Sequence, residues 1–134
     1  MNNLPKSAPS SSVLIVEDEE SILLSLEFLL AKEGYAVNTA RDGAAALRAL
    51  QTRPPDLVLL DVMLPLIDGF ELCRLIRENP ALCSTRIMLL TARGREAEIA
   101  RGMALGADAY LTKPFSTREL MEKVRALLGA LPPA

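Results

Sequence analysis

Five polar residues each stand at or just after the end of a short apolar run, although they lie far apart in the sequence. They offer three carboxylates, one hydroxyl and one ammonium: Glu17, Asp18, Asp61, Thr91 and Lys113. Three carboxylates held close together repel one another and raise each other's pKa unless a cation neutralises them. Because the candidate ligand atoms are all oxygens, a hard ion is favoured, and Mg²⁺ suits a site with few carboxylates because it keeps several waters.

A carboxylate beside such an ion can act as a nucleophile toward phosphorus and form an acyl phosphate. Phosphoryl transfer needs mainly positioning and neutralisation of the charge on the equatorial oxygens. Mg²⁺ would take one of these oxygens, the Lys113 ammonium a second and the Thr91 hydroxyl a third. Asp61 is the candidate nucleophile, because an Asp that closes the fully apolar run 57–60 is hard to explain by packing.

The apolar runs alternate with stretches of helical periodicity, which predicts five strand–helix units. The predicted strands cover 13–16, 35–39, 57–60, 87–90 and 109–111. Such a series predicts an α/β fold: a doubly wound, flavodoxin-like parallel sheet of order 2-1-3-4-5, with five helices on both faces. Ligands of this fold bind beyond the carboxyl ends of the strands, so we expect the five polar residues to converge there.

The helix boundaries carry local signals of their own. Asp42 and Asp68 stand where N-caps are expected, and Ser116 followed by Glu119 forms a capping box before the last helix. The fourth helix is predicted over 96–105, because a glycine follows it.

Composition indicates one domain with one core: 134 residues, 50% hydrophobic, with a formal net charge of -2. We predict a disordered tail at 1–11, the domain at 12–129, and a C-terminal end or the start of a linker at 130–134. The absence of histidine excludes a His base, a His metal ligand and an internal phosphohistidine. No basic stripe, signal peptide or membrane-length apolar run is present, so we expect a cytoplasmic protein with no direct nucleic-acid binding by this segment and no membrane binding.

Each polar residue also has a structural explanation. Asp18 could cap the first helix, Asp61 could be a turn residue, Thr91 a plain strand end and Lys113 a solvated cation before a proline. Taken one at a time, these explanations are preferable for all but Asp61. Taken together, they require five coincidences at one edge of one sheet, and we reject them.

The residues resemble the receiver domain of bacterial response regulators, the CheY-like domain of two-component systems, across 12–129. The acidic pair Glu17-Asp18, the acceptor Asp61 in the run Leu-Asp-Val-Met-Leu-Pro, Thr91-Ala92 and Lys113-Pro114 match the family's motifs. The intervals of 30 residues from Asp61 to Thr91 and 22 from Thr91 to Lys113 match as well.

The resemblance implies roles for particular residues. Asp18, Asp61 and the backbone carbonyl of Met63 would bind Mg²⁺ directly, Glu17 would act largely through water, and Mn²⁺ would substitute. Tyr110 would be the switch aromatic that turns inward when Thr91 moves toward the phosphoryl group; outside the motif it would be an ordinary half-buried strand residue. The Lys113-Pro114 peptide bond would be cis.

The resemblance also implies partners: a sensor histidine kinase or histidine phosphotransfer protein as donor, and a downstream protein effector that binds the face of helix four, strand five and helix five.

Two positions that tune the lifetime of the phosphoryl group in such domains are occupied here by Met63 and Arg93. Met63 cannot hydrogen-bond an attacking water through its side chain and Arg93 would cover the pocket mouth, so we expect slow hydrolysis of the aspartyl phosphate.

One subfamily, the winged-helix transcription factors, fits less well. Its members usually carry an acidic pair directly before the switch Tyr, whereas here the order is Asp108, Ala109, Tyr110, and Ile99 replaces an expected basic residue. This argues against that subfamily's charged dimer. Ile99 and Met103, one helical turn apart, are either core residues, which is the default reading, or an apolar patch for a partner.

Three other functions remain open at this point. A flavodoxin-like cofactor binder would need a glycine- or hydroxyl-rich loop after strand one, where four acids stand at 17–20. A phosphatase with an Asp nucleophile would need a second Asp at position 63, which is Met. A pseudo-receiver that only binds protein would not need the five polar residues that are present. We favour a signalling switch that phosphorylates only itself over an enzyme acting on a metabolite.

Overall fold

The protein is described from a computed structural model, which covers residues 11–64 and 68–129. The predicted tail, apart from its last residue, and the predicted C-terminal end at 130–134 lie outside the described residues. Within those ranges, five strands alternate with five α-helices. In chain order they are β1 Ser12–Val16, α1 Glu20–Lys32, β2 Ala36–Ala40, α2 Gly43–Thr52, β3 Leu57–Asp61, α3 Gly69–Glu78, β4 Arg86–Ala92, α4 Glu96–Ala104, β5 Ala109–Lys113 and α5 Thr117–Leu128.

All strand pairs are parallel, and the order of the sheet is β2-β1-β3-β4-β5. The predicted fold class and strand order are therefore confirmed. Central strand β3 is buried along its whole length, which explains its unbroken apolar run. Thr91 and Lys113 belong to β4 and β5 themselves, because the two strands stay paired through Thr91↔Thr112 and Ala92↔Lys113. The strands predicted over 87–90 and 109–111 therefore ended two residues too early.

The sheet separates two apolar clusters. On one face, β-strand residues such as Ile15 and Leu59 pack with α1 and α5. On the other face, residues such as Val58 and Leu60 pack with α2 and α3. Each fully buried Leu or Ile contributes roughly 1.5–3 kcal/mol from transfer out of water, so the two clusters hold the strand ends in a fixed frame.

The predicted helix caps are present. The side chains of Asp42, Asp68 and Ser116 accept hydrogen bonds from the backbone N–H groups three residues on, at 2.8, 2.9 and 3.0 Å. Each bond satisfies a donor that the first helical turn would leave unpaired. A short 3₁₀ helix, Pro80–Leu82, precedes β4 and was not predicted from the sequence.

Arg77, near the C-terminal end of α3, ties three segments together. Its guanidinium donates to the carbonyl oxygens of Gly106 and Thr85 at 2.8 and 2.7 Å, and to Asp108 Oδ2 at 2.7 Å. Asp108 Oδ2 also accepts from the Ile87 N–H at 2.8 Å. Arg77 thereby connects α3 with the loop between α4 and β5 and with the first residues of β4.

Within the described ranges, no helix is long and apolar enough to cross a membrane.

Candidate functional site

The strand ends bring four of the five polar residues together. Carboxylate oxygens of Glu17, Asp18 and Asp61 lie within 4.8 Å of one another, a spacing that suits a shared metal ion. The Lys113 ammonium lies 3.0 Å from Glu17 Oε1 and 3.2 Å from Asp61 Oδ2. The sheet therefore gathers three acids and one ammonium from β1, β3 and β5 at one edge, as expected for the carboxyl ends of parallel strands.

Asp61 is held in a defined orientation at the end of β3. Its side chain is buried, with the residue 5% exposed. Oδ1 accepts a hydrogen bond from the Met63 N–H at 2.9 Å, and Oδ2 accepts one from Lys113 at 3.2 Å. Gly69 packs against the same backbone: a Cβ there would lie 2.6 Å from both the Asp61 carbonyl oxygen and Val62 Cα. The absence of a side chain at Gly69 thus allows the first residue of α3 to lie against the backbone of the candidate nucleophile.

Glu17 is the most buried acid of the cluster. Its Oε2 accepts from the Glu19 N–H at 3.1 Å. Its Oε1 is ion-paired with Lys113, but among the described residues no donor forms a hydrogen bond of good geometry with it. Burial, assisted by the charge of Asp61, raises the pKa of Glu17, although Lys113 opposes the shift. A buried carboxylate oxygen without a hydrogen bond is open to a water or a cation.

Lys113 is the counter-charge that the structure shows inside the cluster. Burial lowers the pKa of its ammonium, but Glu17 and Asp61 outweigh burial and raise that pKa above its usual range. Lys113 is therefore charged at neutral pH. One ammonium faces three carboxylates, and this excess of negative charge on oxygen-only ligands fits a divalent hard cation such as Mg²⁺. Asp18 is exposed, so one side of the cluster is open to solvent.

Thr91 lies in β4 beside these groups, but its hydroxyl is engaged elsewhere. It is buried, and its Oγ1 donates to Glu98 Oε1 of α4 at 3.3 Å. Glu98 Oε2 in turn accepts from Arg95 Nη1 at 3.0 Å. Sequence reasoning did not identify Glu98, because nothing in the local sequence around α4 shows which of its acids faces β4.

The remaining candidates lie around the cluster. The side chain of Met63 is largely exposed, as is Arg93. Tyr110 on β5 is 38% exposed, and Lys123 Nζ lies 5.1 Å from its ring centroid. The Lys113-Pro114 peptide bond is cis, as the resemblance implied. On α4, Ile99 is half-buried and Met103 is 39% exposed, so Met103 is not a core residue.

A cleft of about 470 Å³ opens beside the cluster. It is lined by Asp18, Val62, Met63, Leu64, Asp68, Phe70, Glu98 and Arg101. Arg101 also stacks on the ring of Phe70, with its guanidinium carbon 4.2 Å from the centroid. The cleft therefore lies beside Asp18 and the residues that follow Asp61, between β3, α3 and α4.

Comparison with known proteins gives a consistent result. A family model, the response regulator receiver domain, matches residues 13–125. The phosphate regulon transcriptional regulatory protein PhoB of Rhizobium meliloti is 48% identical over 121 residues, which is 90% of this chain and 53% of that protein. The alkaline phosphatase synthesis transcriptional regulatory protein PhoP of Bacillus subtilis is 45% identical over 119 residues, 89% of this chain and 49% of that protein.

Solved structures agree with these relatives. Chemotaxis protein CheY4 of Vibrio cholerae superposes with a TM-score of 0.84 at 33% identity, over 89% of this chain and 99% of that one. The receiver domain of sensor histidine kinase PA1611 from Pseudomonas aeruginosa, which holds a magnesium ion in its active site cleft, gives a TM-score of 0.82 at 30% identity, over 90% and 99% of the two chains. This chain spans about half the length of the curated relatives it matches.

Proposed function

Because this chain belongs to the response regulator receiver domain family, we propose that it accepts a phosphoryl group on Asp61 in a Mg²⁺-dependent reaction. The observation that carries the proposal is the position of the Lys113 ammonium, which contacts both Asp61 and Glu17 inside a cluster of three carboxylates. Buried charges of this kind are costly unless they are paired or hold a metal. The arrangement suits binding and transfer of a dianionic group rather than stabilisation of the fold.

Asp18, Asp61 and the Met63 carbonyl are the direct ligands we propose for Mg²⁺, with Glu17 acting through water; Mn²⁺ is the proposed substitute. The excess of carboxylates supports this assignment, as does buried Glu17 Oε1, which has an ion pair with Lys113 but no hydrogen bond of good geometry among the described residues. The PA1611 receiver domain, similar in fold, holds magnesium in its cleft. When bound, the ion neutralises charge on the phosphoryl oxygens.

In the proposed reaction, an Asp61 carboxylate oxygen attacks phosphorus and forms an acyl phosphate. The bond between phosphorus and the donor's nitrogen or oxygen breaks, and the donor keeps the electron pair. Lys113 exchanges its contact with Asp61 Oδ2 for one with a phosphoryl oxygen, so that its charge follows the developing negative charge. Thr91 donates to another phosphoryl oxygen. The chain thereby catalyses its own phosphorylation and dephosphorylation.

The proposed output is a change in partner affinity at α4, β5 and α5. Tyr110, exposed here on β5, is the proposed switch aromatic, and Met103 extends the exposed surface on α4. The proposed phosphoryl donor is a sensor histidine kinase or a histidine phosphotransfer protein. A downstream protein effector would read the altered face, since phosphorylation shifts the populations of two conformations.

Intact-mass measurement after incubation with acetyl phosphate and Mg²⁺ tests the proposal. We expect one phosphoryl adduct on the wild-type chain, no adduct on Asp61→Asn, and no adduct on the wild type when Mg²⁺ is removed by a chelator. An adduct on both proteins, or on neither, would refute the assignment of Asp61.

Phosphoryl lifetime is a separate part of the proposal. Met63 and Arg93 are both exposed, and neither side chain is a carboxylate or amide that would orient an attacking water. We expect slow hydrolysis in the wild type and faster decay of the adduct in a Met63→Asn, Arg93→Ala double variant. Equal decay rates in the two proteins would contradict this expectation.

A further inference from the structure

The hydroxyl of Thr91 is bonded to a residue that the proposed reaction does not use. Thr91 is 2% exposed, and its Oγ1 donates to Glu98 Oε1 across the gap between β4 and the first turns of α4. At 3.3 Å the bond is longer than the usual O–H···O distance, so it is readily exchanged for a better acceptor. Arg95 holds the other oxygen of the same carboxylate at 3.0 Å.

A threonine hydroxyl has a single proton to donate. Thr91 can therefore donate to Glu98 or to a phosphoryl oxygen on Asp61, but not to both. Glu98 also lines the cleft beside the carboxylate cluster, together with Asp18 and Met63. A dianionic group placed in that cleft meets the negative charge of Glu98, which disfavours the close approach of the two.

We propose that Glu98 is a positioning residue that opposes phosphorylation by holding Thr91 and the first turn of α4 in the unphosphorylated arrangement. The inference rests on the proposed function, because it takes Asp61 as the acceptor. When Asp61 is phosphorylated, Thr91 transfers its hydrogen bond to the phosphoryl group, and Glu98 and Arg95 are released together. The charge change at Asp61 thereby reaches α4 through one exchanged hydrogen bond. By linkage, breaking the Thr91–Glu98 contact favours the phosphorylated arrangement.

The test compares Glu98→Ala with Glu96→Ala. Both variants remove one acid from the first turn of α4, where a carboxylate interacts favourably with the helix dipole. The two variants therefore lose the same dipole interaction. Only Glu98 contacts Thr91 among these two acids. With acetyl phosphate and excess Mg²⁺, we expect Glu98→Ala to be phosphorylated about fivefold faster than the wild type, the ratio expected for loss of one net hydrogen bond. Glu96→Ala should react at the wild-type rate.

A second readout needs no phosphorylation. The Ile99 N–H donates to the Arg95 carbonyl at 3.1 Å and reports on the first turn of α4. We expect its hydrogen exchange, measured by NMR, to be about fivefold faster in Glu98→Ala and in Thr91→Val than in the wild type or Glu96→Ala. The Thr91→Val, Glu98→Ala double variant should exchange no faster than Glu98→Ala alone, because Glu98→Ala already removes the contact with Thr91.

The outcomes separate the two proposals. Equal phosphorylation rates and equal Ile99 exchange in Glu98→Ala and Glu96→Ala would overturn the role of Glu98 while leaving Asp61 phosphorylation intact. Additive effects in the double variant would also overturn it, since Glu98 would then act on α4 independently of Thr91. Absence of an adduct on the wild type would instead refute the proposed function, and with it the competition for Thr91. If Glu98→Ala does not fold, Thr91→Val and its exchange readout decide the question.

Discussion

Replacing Arg77 by Met should destabilise the domain by about 3 kcal/mol, on the basis of about 1 kcal/mol for each of three lost hydrogen bonds. Arg77 donates to two backbone carbonyls and to Asp108, at 2.7–2.8 Å, and its side chain is only 23% exposed. Met retains most of the aliphatic stem, so that little packing is lost with the guanidinium. The change would leave the Thr85 carbonyl and Asp108 without their charged donor.

Urea unfolding followed by circular dichroism measures this effect. With a slope of about 2 kcal/mol per molar urea for a small domain, the midpoint should fall by about 1.5 M. Arg74→Met is the matched control, because Arg74 lies on the same helix but pairs with Glu71 and Glu78 on the solvent side. Exposed pairs contribute little, so its midpoint should stay close to that of the wild type. If both variants shift equally, the contacts of Arg77 with the α4–β5 loop do not contribute to stability as argued.

Three further predictions concern the site. Gly69→Ala should cost about 1–3 kcal/mol of stability and slow phosphorylation, because its Cβ would meet the Asp61 and Val62 backbone at 2.6 Å; urea midpoints and initial rates will show this. The pKa of Glu17 is raised in the folded state, so the folded protein binds this proton more tightly than the unfolded chain does. Ionised Glu17 therefore lowers the stability of the fold at neutral pH, and this loss disappears as the pH falls toward 4.5, the pKa of Glu17 in the unfolded chain. Glu17→Gln should therefore be more stable than the wild type at pH 7, and this difference should shrink on acidification. Asp61→Asn should raise the melting temperature without metal and reduce the further rise on adding Mg²⁺, since it removes one of the repelling charges.

The sequence predicted most of the fold because its signals are local. The apolar run at 57–60 needs no alternation when both faces of β3 are covered, and the caps Asp42, Asp68 and Ser116 act within three residues of themselves. Strand ends were less well predicted. Whether β5 stops at 111 or continues to Lys113 depends on pairing with β4, which no local pattern records.

The cluster at the strand ends could also be anticipated, because parallel topology alone places Glu17, Asp61 and Lys113 at one edge. The direction of the Thr91 hydroxyl could not. It depends on how closely α4 approaches β4, and the two elements are close at Gly102, where a Cβ would lie 2.0 Å from Leu89 Cδ1. Topology therefore predicts which residues meet, whereas side-chain packing decides which hydrogen bonds they form.

The charge balance of the site explains why one covalent change would affect the whole face of α4. Three carboxylates and one ammonium already leave the cluster negative, and phosphorylation would replace the single negative charge of Asp61 by the charge of about −1.5 to −2 of a phosphoryl group. Lys113 cannot neutralise that charge alone, so the addition must draw in a divalent cation and any free donor nearby. The Thr91 hydroxyl is such a donor, and the structure shows it bonded to α4 through Glu98. Under the proposed function, an excess of negative charge at the strand ends would therefore be converted into a rearrangement of a helix, because the same hydroxyl cannot satisfy both acceptors.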